Sequence, residues 1–362
     1  MVHSNNNILQ NGNSMQEQQI TLLLDKLAQV RDEIAKVIVG QQETIDELLI
    51  SILAGGHCLL EGVPGLAKTL MVSSLAKTLA LDFNRVQFTP DLMPSDIVGT
   101  EILETDHESG ERFFKFQQGP VFTNILLADE INRTPPKTQA ALLEAMQERR
   151  ISYAGTTYDL PKPFFVLATQ NPVEQAGTYP LPEAQLDRFL MFIRVGYPTE
   201  QEEIEILKRT TGNAHNELSA ILSADDILAL QSLVRSVTVS DELLAYAASL
   251  ARATRPKNDL NHANVNANKA RQQQCQSVIE HVRWGAGPRA GQALILCAKA
   301  RALMSRRYAI TIADIQFVAP AVLRHRILVN FQAEALNISP DNVIDELFAF
   351  VALPSSPLPS SR

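Results

Sequence analysis

The 362-residue chain carries a formal charge of −8, with 45% hydrophobic and 20% charged residues, which fits a globular protein long enough for two cored domains. The acidic balance disfavours broad nucleic-acid binding, which needs a basic face. Met1-Val2-His3-Ser4 lacks the charged and apolar regions of a secretory leader, and the most apolar stretch, 48–67, is interrupted by His57, Glu61 and glycines, so no membrane span is expected. Cys58, Cys275 and Cys297 are too scattered for a disulfide framework or metal spacing, which suits a cytoplasmic protein.

Residues 1–16 are rich in Asn and Gln and are expected as a disordered tail. From Ile20 onward, Leu23, Leu24, Leu27, Val30, Ile34 and Val37 have helical spacing, and Gly40 can stop that helix. A second helix over 43–53 leads through Gly55-Gly56 to a short buried strand at 57–60.

There follows Gly62-Val63-Pro64-Gly65-Leu66-Ala67-Lys68-Thr69, which fits the pattern G-x-x-x-x-G-K-[ST]. In such a loop backbone N–H groups surround phosphate oxygens, the lysine reaches the β/γ-phosphates and the Thr hydroxyl takes a site on Mg²⁺. A helix predicted over 66–81, and containing Leu70, would face its positive end to the loop. ATP and Mg²⁺ are the expected cofactors.

Next in order are a strand at 85–88, a loop with Pro90 and Pro94, and a hairpin whose arms at 101–103 and 112–116 flank Asp106-His107-Glu108-Ser109-Gly110. The run Ile125-Leu126-Leu127-Ala128 is apolar on both faces, as a central parallel strand must be, and ends in Asp129-Glu130. Thr134 is expected to cap a helix that begins at Pro135-Pro136. A second hairpin around Ala154-Gly155-Thr156-Thr157, a buried strand over 164–168 and a last strand over 190–195 complete a parallel sheet of alternating strands and helices. The first domain is expected to span 17–197.

Beyond Thr199 the pattern is helical, with segments near 200–210, 225–236, 240–254, 289–305 and 312–326, giving a second, all-helical domain over 198–353. An Asn-rich stretch at 256–282 is expected as a flexible insertion, and 354–362 as a disordered tail.

Asp129 would hold Mg²⁺ through water, and Glu130 would orient and activate the attacking water; acids past a strand end can also be merely solvated. Asn171 could reach that water and the γ-phosphate, or simply occupy an Asn-Pro turn. On spacing alone, Arg188 and Arg289 read as surface charges.

Taken together, the phosphate loop, residues 125–146, Ala168-Thr169-Gln170-Asn171-Pro172, residues 181–189, Gly287-Pro288-Arg289-Ala290 and residues 322–327 resemble the MoxR family of AAA+ ATPases. The resemblance runs over 37–353. It implies a P-loop NTPase αβα core with a helical lid, assembled as a homo-oligomer, usually a ring of six. It also implies that Gly40 and Gln41 lie near adenine, that Asn171 is the first sensor, Arg188 an arginine finger acting on a neighbour, and Arg289 the second sensor. The nucleotide site would thus be Gly40, Gln41, residues 62–69 and Leu70, with Thr69 and Asp129 at the metal. The two hairpins resemble pore-facing inserts of this clade. The implied work is remodelling or metal-cofactor insertion, often with a von Willebrand A domain partner. The alternative is a DNA-directed AAA+ motor or transcription regulator, which the charge and the lack of a DNA-binding module disfavour.

Overall fold

The computed structural model describes residues 4–63, 65–105, 112–172, 177–211, 217–256 and 275–354, with side chains of the first helix described from Glu17 onward. Pro64, the first hairpin turn at 106–111, residues 257–274 of the expected insertion and the end of the C-terminal tail lie outside the described residues.

Helices α1 (Ser4–Ala35) and α2 (Gln42–Leu53) precede β1 (Cys58–Glu61), and α3 (Lys68–Thr78) leads to β2 (Phe83–Gln87). A short α4 (Pro94–Val98) introduces the hairpin of β3 (Gly99–Thr105) and β4 (Arg112–Gln118). Then come β5 (Ile125–Asp129), α5 (Pro136–Glu148), the hairpin of β6 (Arg150–Tyr153) and β7 (Thr156–Asp159), β8 (Phe165–Gln170), α6 (Glu183–Leu186) and β9 (Met191–Arg194). Strands β2, β5, β8, β1 and β9 form, in that order, one parallel five-stranded sheet.

Alternation along each strand explains why these runs had to be apolar throughout. Cys58, Leu60, Leu127 and Leu167 enter a core shared with α1, α2 and α3, whereas Leu59, Leu126, Ala128 and Val166 enter a second core with Leu142 and Met146 of α5. The sheet is therefore the middle of three layers.

The second domain comprises α7 (Glu200–Thr210), α8 (Ala224–Ser236), α9 (Asp241–Ala253), α10 (Gln276–His281), β10 (Val282–Trp284), α11 (Pro288–Met304), α12 (Ile312–Leu323), β11 (Leu328–Val329), α13 (Phe331–Ala335) and α14 (Pro340–Phe350). Leu250, Leu294 and Val322 of these helices join the same core as Leu48 and Leu60, so the lid is fused to one face of the first domain by continuous apolar packing.

Four local expectations change. Backbone is helical from Ser4, so 4–16 extends α1 instead of forming a tail; adding residues to an established helix needs no new nucleus. The insertion stops short of 282, because Val278 and Val282 are buried and order α10 and β10. A two-stranded antiparallel pairing of β10 with β11 accompanies the lid helices. Thr134 does not cap α5: the cap position is Pro135, and the Thr134 hydroxyl is buried without a partner.

Candidate active site

The phosphate loop leaves the carboxyl end of β1, where parallel sheets place their ligand sites. A Cβ on Gly62 would stand 3.1 Å from both the Cβ and the carbonyl oxygen of Val195, so a side chain there would fit only if Val195 gave way by a few tenths of an ångström. Gly65 and Ala67 have φ of 88° and 52°, and such alternation turns successive N–H groups toward one concavity, an anion nest. Helix α3 begins at Lys68, because left-handed Ala67 occupies the cap position instead of the first turn. Leu66 is half-buried against the core and Leu70 is exposed.

Lys68 Nζ donates to the Gly62 carbonyl at 2.6 Å, closing the loop on itself. Burial pushes its amine below the usual lysine range, against the opposing pull of Asp129, Glu130 and Glu61. Three carboxylates thus bear on one cation. Gly40 and Gln41 both have positive φ, and Gln41 Nε2 donates to the Gly196 carbonyl at 2.9 Å, which ties this segment to the chain just past β9.

Register builds the acidic part of the site. Gln87 pairs with Asp129, Ala128 with Ala168, and Leu60 with Thr169, so Gln87, Asp129 and Thr169 stand in one row at the sheet edge from which the loop departs. Asp129 Oδ1 accepts from the Thr169 hydroxyl at 2.6 Å, and its Oδ2 accepts from Arg85 Nη2 at 2.6 Å. Glu130, at φ 59°, donates its N–H to Thr169 Oγ1 at 2.9 Å. Its carboxylate accepts from Gln87 Nε2 at 2.6 Å and faces Arg133 Nε at 3.2 Å. Asn171 follows β8 directly and is buried. Thr69 follows Lys68 and is half-buried.

Arg188 and Arg289 are brought together, but not with Lys68. They line one cavity of about 380 Å³ with Gly55, Gly56 and His57, the residues that precede β1. The phosphate loop follows β1, so a strand of four residues, about 13 Å long, separates the two sites. Arg188 Nη1 donates to the Leu143 carbonyl at 3.1 Å. Arg289 Nη1 meets Asp187 Oδ2 at 3.3 Å, and Asp187 Oδ1 accepts from Arg326 Nε at 2.8 Å. Arg326 is almost wholly buried, and its other donors reach the carbonyls of Phe189, Leu190 and Val322.

Arg85, Gln87, Arg133 and Thr169 were not singled out from sequence. Strand-end position is a signal that could have flagged Gln87 and Thr169; the arginines carry none without knowledge of which elements are neighbours.

The donor set fits the expected cofactors. An amide nest with a half-buried lysine suits a polyphosphate, and a hydroxyl with a carboxylate supplies the oxygen ligands a hard divalent cation takes. Among the described residues no cluster of three or more His, Cys, Asp and Glu forms an all-protein metal site, and no helix is long and apolar enough to cross a membrane.

Residues 57–191 match the ATPase family associated with various cellular activities, and residues 277–347 match an AAA lid domain. The chain is 44% identical to the chaperone MoxR1 of Mycobacterium tuberculosis over 89% of its own length and 81% of that protein. It is 32% identical to the protein MoxR of Paracoccus denitrificans, over 88% of this chain and 94% of the other. A crystal structure of a candidate ATPase from Cytophaga hutchinsonii superposes with a TM-score of 0.84 at 43% identity, covering 95% of this chain and 99% of that one.

Proposed function

The chain belongs to the MoxR family of AAA+ ATPases, and from that membership we propose that it hydrolyses ATP between neighbouring subunits of a ring, usually of six, and uses the cycle to remodel client proteins. The reading rests chiefly on one observation: Arg188 and Arg289 share a cavity from which the chain's own phosphate loop lies a full strand away. Guanidiniums that serve a nucleotide from there serve a neighbour's.

In this reading the nest of residues 62–67 and Lys68 bind the polyphosphate, and Thr69 and Asp129 hold Mg²⁺. The bound metal supplies charge neutralisation at the phosphate oxygens. Asn171 orients the attacking water, and Glu130 accepts its proton once Gln87 and Arg133 release the carboxylate. Arg188 and Arg289 meet charge developing on the γ-phosphate of the adjacent subunit. An arginine finger in GTPases is worth about 10³–10⁵ in rate.

The hairpins are proposed to face clients. Leu103 and Phe114 are exposed on the first, and Phe116 stacks on Tyr158 of the second with centroids 4.5 Å apart, so the two hairpins touch. Exposed apolar surface of this kind suits transient capture of polypeptide. Activation or assembly of partner proteins, or insertion of metal cofactors into them, alongside a von Willebrand A domain protein, is the family-based proposal.

Mixing tests the ring. Lys68→Ala removes the main cation facing the phosphates but keeps Arg188, whereas Arg188→Ala keeps an intact loop. Each alone should release little phosphate, and co-assembled they should regain part of the wild-type rate. Wild-type specific activity should rise with protein concentration. A mixture that stays inactive although mixed rings form would sink the trans assignment. Stimulation of turnover by duplex or single-stranded DNA would favour the DNA-directed alternative.

A further inference from the structure

The cavity that holds Arg188 and Arg289 contains two further arginines, Arg149 and Arg326, against a single carboxylate, Asp187. Asp187 is already shared by Arg326 and Arg289. Arg188 and Arg149 are held only by backbone carbonyls: Arg149 Nη2 donates to Gly55 at 2.7 Å, as Arg188 does to Leu143. Among the described residues neither guanidinium forms an ion pair, and both side chains are exposed where a ligand can reach them.

We infer that Arg149 is a third phosphate-facing cation of this cavity, meeting, with Arg188 and Arg289, the terminal phosphates of a nucleotide held in a neighbouring copy's phosphate loop. The inference rests on the ring reading of the same site.

Local structure supports it in two independent ways. Arg149 stands just past the end of α5 with φ 54°. Glycine or asparagine is the relaxed choice at a left-handed helix end, and the arginine found there goes against that backbone preference. Its mount is also rigid. The buried His57 ring accepts from the Val166 N–H at 2.9 Å through Nδ1 and donates to the Met146 carbonyl at 3.0 Å through Nε2, pinning the last turn of α5 to the sheet. Guanidiniums converging on one cavity, two of them without an ion-pair partner among the described residues, suit bidentate recognition of a tetrahedral oxyanion such as phosphate.

The test replaces Arg149 by Asn, which suits the left-handed backbone, and by Lys, which keeps the charge. Arg149→Asn is expected to melt no lower than the parent, to bind ATP with unchanged affinity, and to form rings by light scattering in the presence of ATP. Its turnover should fall at least tenfold, with Arg149→Lys intermediate. Mixed with Lys68→Ala subunits, which supply Arg149, it should regain part of the lost rate. Full turnover, lost ATP binding, lost ring formation, a lower melting temperature or no regain in demonstrated mixed rings each overturns the assignment. Arg188→Ala measured alongside separates the two claims. If Arg188→Ala is inactive while Arg149→Asn turns over fully, only the third cation is wrong. If both turn over fully, the ring reading itself has failed.

Discussion

The Thr169 hydroxyl donates to Asp129 Oδ1 across 2.6 Å and in the same position accepts the Glu130 N–H at 2.9 Å. One side chain therefore holds the Asp129 carboxylate and anchors the Glu130 backbone. Thr169→Val keeps a β-branched strand residue but removes the donor and orphans an amide. Loss of such a supporting contact typically costs about 10–100-fold in metal affinity or activity. Turnover should fall within that range, more Mg²⁺ should be needed for half-maximal rate, and Thr169→Ser should recover most of it. An unchanged Mg²⁺ dependence would show that Asp129 is aimed by Arg85 alone.

Glu130→Gln should bind ATP but not hydrolyse it, since the amide fits the space and cannot accept a proton. Gln87→Ala should act differently. It removes the 2.6 Å donor that holds the Glu130 carboxylate toward β2 and must release it before the base can act, so turnover should be kept or rise, with ATP binding unchanged. Phosphate release and equilibrium nucleotide binding, measured on both variants, check this. A Glu130→Gln protein that hydrolyses at the parental rate would remove Glu130 from the role of base.

Glu47 lies buried in α2, where burial pushes its carboxyl from 4.5 up to about 8, with Arg324 opposing and Glu43, Asp341 and Asp46 adding to the rise. The folded state holds this proton more tightly than the unfolded chain does. Its contribution is therefore fully present below pH 4.5 and is lost as pH rises through about 8, by at most about 1.4 kcal/mol per pH unit. Glu47→Gln, which stays neutral, should melt higher than the parent at pH 8 and close to it at pH 5. Parallel melting curves across that window would show that Glu47 is ionised when folded.

Asp187 compensates the buried Arg326 and steadies the exposed Arg289. Stranding a buried charge costs roughly 3–5 kcal/mol, so Asp187→Ala should lower the unfolding free energy by about that amount. Asp187→Asn retains an acceptor and should cost less. Both should reduce turnover through displaced Arg289 while leaving ATP binding intact, because the phosphate loop lies at the other end of β1. Chemical unfolding and nucleotide titration of the pair decide it; unaltered stability in Asp187→Ala would mean that the carbonyls of Phe189, Leu190 and Val322 suffice for Arg326.

Much of the protein was legible in its sequence. The phosphate loop is contiguous, so its glycines, Lys68 and Thr69 could be read as one chemical unit. The apolar run before Asp129 announced a strand buried on both faces, and helical spacing located the main lid helices. Those signals are local: periodicity reports how a segment meets a core, and a loop motif carries its own ligands. Tertiary structure decided which strand ends are neighbours. The order β2-β5-β8-β1-β9 sets Gln87, Asp129 and Thr169 in one row although 82 residues of numbering separate the first from the last, and no period along the chain encodes that adjacency. The same holds for Arg149, Arg188, Arg289 and Arg326. They come from a helix end, a strand approach and two lid segments, and only the packing of α11 and α12 against the first domain gathers them around one cavity. Each looks like an isolated charge along the chain, and only the fold shows that Arg289 and Arg326 share Asp187 while Arg149 and Arg188 line the same cavity.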